Sequence, residues 1–154
     1  MITWVLVLLC FWVLFNWVAP FAVLIDATRL GRGRIPAELL VWSQDRGVRF
    51  YTAQLSGGYG FSVWAPPFSV VVFDMDFFAR ASPPLVRYVV AHELAHFSLG
   101  HHRKRWFAVV TGVVLLPWVR RRLVYMEHEA DAEAEIRTGY NRSLFPQLGG
   151  HREE

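Results

Sequence analysis

His92-Glu93-Leu94-Ala95-His96 places two imidazoles four residues apart with a carboxylate beside the first. On a helix, residues four apart share a face, so both rings can reach one metal ion. Glu93 sits one step round the helix, close enough to act on a water held by that metal. The spacing predicts zinc-assisted hydrolysis with Glu93 as general base. The competing reading is a surface helix carrying two unrelated histidines.

Two histidines do not complete a catalytic zinc site, which needs three protein ligands and an open position for water. One candidate is Glu127, in Glu127-His128-Glu129-Ala130-Asp131. Glu127 and Asp131 share a helical face. Glu127 could bind the metal while Asp131 holds the outer nitrogen of His92 and fixes its tautomer. The same segment also reads as a solvated acidic face with Glu129, Glu133 and Glu135. The alternative third ligand is His102, six residues after His96, the spacing of the third His in the metzincin pattern. That pattern asks for Gly at position 99, where this chain has Leu99, with Gly100 one step later. His101 and His102 also fit exposed loop histidines.

The elements that must position these residues follow from periodicity and punctuation. Pro36 is expected to open a short helix through Trp42, which Gly47 ends. Val48–Ala53, Phe61–Trp64 and Ser69–Phe73 read as three strands, with a turn at Gly57–Gly60 and a stop at Pro66-Pro67. Their short connections predict an antiparallel meander. If the Val-rich strand Ser69–Phe73 lies at the sheet edge, it could hold an extended peptide by main-chain pairing. Ser82-Pro83-Pro84 is a helix start, with a capping hydroxyl and Pro at the first helical position. The helix runs from Leu85 to about Leu99, is mostly apolar, and stops at Gly100. It therefore carries His92, Glu93 and His96 inward, where buried polar groups need partners. Residues 120–138 are expected to be helical, ending at Gly139, and Tyr140–Glu154 an irregular tail.

Length and composition set the frame. The chain has 154 residues, 54% hydrophobic and 16% aromatic, apolar for a small soluble protein. Ile2–Ile25 is an apolar run broken only by Thr3, Asn16 and Pro20, long enough to be a transmembrane helix. No basic residue precedes it, so a cleaved signal peptide fits less well. Arg29, Arg32 and Arg34 follow it, which puts the C-terminal side in the cytoplasm under the positive-inside rule. A second apolar run, Trp106–Val119, is flanked by Arg103-Lys104-Arg105 and Arg120-Arg121-Arg122. Fourteen residues reach about 21 Å, short of a bilayer core of roughly 30 Å. It reads as a helix on the core or in the membrane interface, with a short second span as the rival. The net charge of +3 is small and dispersed, so nucleic acid is not an expected partner. Cys10 is the only cysteine, which excludes an internal disulfide and a Cys-ligated zinc.

With its HExxH residues 92–96, Gly100, the apolar insertion and Glu127-x-x-Ala130-Asp131, the chain resembles the HtpX-like membrane zinc peptidases, which are gluzincins. The resemblance implies zinc bound by His92, His96 and Glu127, Glu93 as general base, and Asp131 behind His92. The chain departs from that family in having one clear membrane helix, a short insertion and no evident C-terminal His/Arg motif. Tyr125, His128, Arg137, Tyr140 and His151 are then the candidates for stabilising an oxyanion. A second resemblance rests on His102 followed by Trp106. It is similar to the SprT-like and YgjP-like metallopeptidases, in which His102 would replace Glu127. The immunity-repressor-cleaving peptidases of mobile elements carry a similar His-Glu-Leu-x-His and later acidic helix.

The expected architecture is α+β: a transmembrane anchor over 1–26, a juxtamembrane segment over 27–47, a zincin-like peptidase domain over 48–140 with a short antiparallel sheet and an active-site helix bundle, and a tail over 141–154. The expected function is a single-pass, membrane-anchored zinc endopeptidase acting on protein or peptide, with membrane lipid as its other partner. The rival from another class is a non-catalytic, zinc-stabilised membrane binding module.

Overall fold

The computed structural model describes residues 2–18, 22, 24–55, 59–65, 67–111, 113 and 116–148. The elements are α1 (Ile2–Val18), β1 (Thr28–Arg29), α2 (Ala37–Gln44), β2 (Val48–Ala53), β3 (Gly60–Ala65), β4 (Phe68–Asp74), α3 (Phe77–Arg80), α4 (Pro83–Ser98), α5 (His101–Val110) and α6 (Pro117–Thr138). The class is α+β, with a four-stranded sheet in the order β1-β2-β4-β3.

That order corrects the meander. The three expected strands form where the alternation placed them, but β2 pairs with β4 in parallel, Val48 opposite Ser69, and only β3 and β4 form an antiparallel hairpin. β1, in the segment expected to be juxtamembrane, adds an antiparallel edge on β2. The sheet is therefore mixed. The reason lies in β4: Val70, Val71, Val72 and Phe73 are all buried, so this strand must be covered on both faces. Val71 and Phe73 join the main core with Val48 and Phe50, while Val70 and Val72 pack with Ala53 on the other face under Leu24 and Ala27. A strand apolar on both faces takes the centre, and β3 takes the edge. The idea of Ser69–Phe73 as an edge strand holding peptide falls with this placement. At the start of β3, a Cβ on Gly60 would lie 2.8 Å from the Phe73 ring and 3.0 Å from the Val72 carbonyl oxygen, so only glycine fits.

α4 is enclosed between the sheet and α6. Leu85, Tyr88, Val89, Val90, Ala91, Leu94 and Ala95 are buried on it, and Ala130 and Ala134 are fully buried on α6. Small side chains let two helices approach closely, bringing the polar groups they carry into one place. The start of α4 is as expected except that Ser82 makes no side-chain cap; Pro83 alone marks the first turn. The helix ends at Gly100, whose φ of 68° lies in the left-handed region that favours glycine. The chain reverses there, and α5 begins at once with His101.

The second apolar run is not one helix. α5 stops at Val110, and Pro117 opens α6, as its fixed φ and missing N–H favour at a first turn; residues 112, 114 and 115 lie outside the described residues. The tail is not irregular throughout. Short 3-10 turns at Arg142–Leu144 and Pro146–Leu148 dock it, with Phe145 buried against Tyr88 at 5.2 Å between ring centroids. His151 and Arg152 lie outside the described residues, as do Gly57 and Gly58 of the expected Gly57–Gly60 turn. α1 is apolar on every side, its large side chains from Trp4 to Phe15 mostly exposed. Among the described residues no helix is long and apolar enough to cross a membrane, so the single-pass anchor finds no support in the structure.

Candidate metal centre

Helix α4 carries Tyr88, His92 and His96 at four-residue intervals, so all three lie along the face turned toward α6. The Nε2 atoms of His92 and His96 are 3.3 Å apart. From α6, Glu127 Oε2 lies 3.5 Å from each of them. Among the described residues these three form the set whose donor atoms all lie within 4.8 Å of one another. A tetrahedral ion with bonds of about 2.1 Å has donor–donor edges of about 3.4 Å. The residues present thus fit a zinc-sized ion.

The outer nitrogens are held too. His92 Nδ1 lies 2.8 Å from Asp131 Oδ1, although not aligned for a linear hydrogen bond. Asp131 is buried and accepts from the Tyr88 hydroxyl at 2.9 Å, while Arg142 pairs with its other oxygen. His96 Nδ1 lies 3.1 Å from His101 Nδ1, and His101 Nε2 lies 3.2 Å from Glu129 Oε2. The acidic segment of α6 is therefore not a solvated face. Glu127 and Asp131 belong to the stripe with Ala130 and Ala134 that packs on α4, and Glu129 reaches across to α5.

Charge accumulates at one point. Burial alone would lower the His92 imidazole, but Asp131 and Glu127, with Glu93 nearby, outweigh it and push it up to about 10. Burial would raise Glu127, yet the two histidines beside it hold it well below the usual carboxylate range. Asp131 is likewise lowered against burial by His92 and Arg142. Burial, reinforced by Asp131, pushes the Tyr88 phenol up, so it remains a donor.

Glu93 is buried and lines a cavity of about 180 Å³ with His96, Glu127, His102, Arg105 and residues Gly60–Ser62 of β3. His102 is in this cavity but outside the three-donor set. Its ring centroid is 5.6 Å from that of His96 and 4.4 Å from Phe97, and its buried Nε2 has no partner among the described residues. Burial, with His96 and Arg105 close by, takes it down to about 3, which leaves a neutral ring. Neither His101 nor His102 is an exposed loop histidine.

The oxyanion candidates scatter. Tyr125 is half exposed under the Arg122 guanidinium, 5.0 Å from its ring centroid. Arg137 is engaged by Glu133 at 2.6 Å and stacks 3.8 Å over Trp42. Tyr140 packs on Phe145. His128 lines a second cleft, of about 330 Å³, with Glu127, Asp131, Arg142 and Arg105. Arg105 borders both cavities, and sequence reasoning missed it. Tyr88, His101 and Arg142 were missed as well. Tyr88 carried a signal, since it sits one turn before His92.

Residues 73–138 match a family model described as YgjP-like, metallopeptidase domain. The matched stretch is under half of the chain, yet it holds α3 to α6 and every residue of the metal cluster. The match supports a metallopeptidase. Of the three resemblances it favours the YgjP-like one, and it gives no support to the HtpX-like membrane assignment. No curated protein matches the chain.

Proposed function

We propose that this chain is a zinc-dependent endopeptidase with its active centre between α4 and α6. The observation that carries the reading is the triangle of donors, His92 Nε2, His96 Nε2 and Glu127 Oε2, with edges of 3.3, 3.5 and 3.5 Å. His92 and His96 bind through Nε2, Glu127 completes the protein ligands, and Asp131 holds the outer face of His92. Bound zinc would supply a Lewis acid and bring the pKa of its water to about 7. Glu93 takes a proton from the attacking water and delivers it to the leaving nitrogen. β3 supports a peptide substrate: it is the edge strand beside Glu93, where an extended chain can pair with main-chain groups.

Casein-like unfolded protein should be cut by the full chain, lose cleavage on treatment with a chelator, and regain it with one equivalent of zinc. Cleavage that survives complete metal removal would end this reading. A second reading of the ligands has its own support. The YgjP-like match and the buried Nε2 of His102, without a partner among the described residues, favour His102 in place of Glu127. The chemistry is unchanged and Glu93 keeps its role.

For location, we propose attachment to a membrane through the N-terminal apolar run, with the peptidase portion on the cytoplasmic side. α1 is about 26 Å long, short of a core of about 30 Å, so this rests on the length of the run to Ile25 and its exposed apolar side chains. The full chain should stay with membranes through alkaline carbonate extraction. Its release into the supernatant would remove the anchor.

A further inference from the structure

We infer that His101 and Glu129 are positioning residues that fix the proton of His96 on Nδ1 and so present its Nε2 lone pair to the metal. The inference rests on His96 being a ligand, as proposed above, and goes beyond it by assigning residues that neither third-ligand reading uses. The argument is one of donors and acceptors. Two Nδ1 atoms, of His96 and His101, face each other at 3.1 Å, so one must donate and the other accept. At the far end, His101 Nε2 and Glu129 Oε2 are both buried and 3.2 Å apart, close but not aligned for a linear hydrogen bond, and neither has a hydrogen-bond partner among the described residues. A carboxylate only accepts. A neutral His101 ring is therefore stabilised with its proton on Nε2, toward the Glu129 carboxylate. Its Nδ1 is then bare and can only accept. His96 must supply that proton from its own Nδ1, and its Nε2 is left as a lone pair. The reverse order sets an acceptor against the Glu129 carboxylate and puts a proton on His96 Nε2, 3.5 Å from Glu127.

The arrangement gives the two histidines of α4 equivalent support by different means. His92 has a carboxylate directly behind it, at 2.8 Å. His96 has a carboxylate behind an intervening imidazole. The corner at Gly100 makes this possible, because its left-handed conformation turns α5 back so that His101, five residues after His96, returns to its ring.

Zinc affinity, read by competition with a chromogenic chelator, tests the relay without recourse to turnover. His101→Leu should weaken zinc binding about 10- to 100-fold, the usual effect of losing such an outer partner. His101→Asn, whose Oδ1 can accept where Nδ1 does, should recover most of that loss. In the zinc-loaded wild type, ¹⁵N NMR of the ring nitrogens should show His96 protonated on Nδ1 and His101 on Nε2. Wild-type affinity in His101→Leu overturns the inference, as do equal losses in the Leu and Asn variants, which would mark a purely structural role. A His101 proton found on Nδ1 overturns it even where the variants do not fold. His92→Ala separates this failure from that of the metal site itself. If His92→Ala loses zinc while His101→Leu does not, only the relay fails. If neither changes zinc binding, the metal site fails.

Discussion

Glu93→Gln is expected to hold zinc at the wild-type stoichiometry and to lose peptide cleavage by at least about 100-fold, the lower end of what a positioned general base contributes. The substitution is nearly isosteric. Glu93 is buried on the enclosed helix α4, so a change of shape would disturb packing, while a change of carboxylate to amide removes mainly the capacity to accept a proton. A loss of 100- to 10,000-fold corresponds to about 2.7–5.4 kcal/mol of barrier. Single-turnover cleavage, metal content and the unfolding midpoint measured on one preparation separate the effects. Unchanged metal and midpoint with lost cleavage assign Glu93 to the chemistry. Turnover within tenfold of wild type would remove Glu93 as the base, and the non-catalytic zinc module would then explain the same cluster better.

What could be seen from sequence follows from the range of each signal. His92 and His96 are legible because helical periodicity alone puts them on one face, with Glu93 one step round, and Glu127 with Asp131 for the same reason. That those two faces oppose each other depends on Ala130 and Ala134 packing on α4, which only the fold supplies. The position of β4 was in fact written in Val70–Phe73, a continuous apolar run of the kind a doubly covered strand shows. The short connections argued louder for a meander, and burial prevailed over loop length. Arg142 lies in a stretch with no periodicity, and its approach to Asp131 is set by Phe145 docking beside Tyr88. The pair His101-His102 is ambiguous in sequence because one residue of slip exchanges their roles. The left-handed turn at Gly100 decides which ring returns to His96.

The third ligand gives the other large effect. Glu127→Ala should lower zinc affinity by about 100-fold or more, above the range for outer partners, because it removes a donor and the negative charge that offsets the cation. It also leaves His92 and His96 as a two-point site. His102→Ala should keep zinc, since its ring stands beside the three-donor set rather than in it. Equilibrium zinc competition on the two variants decides between the readings. Loss in His102→Ala alone transfers the site to the YgjP-like arrangement and leaves Glu127 lining the cleft. Loss in both is the more consequential result. Four protein ligands close a tetrahedral site and leave no position for water, as in structural zinc centres. Glu93 would then have no substrate water to act on, and the peptidase reading would give way to the zinc-stabilised module. Zinc lost in only one of the two variants means three protein ligands and an open position beside buried Glu93, which is what hydrolysis requires.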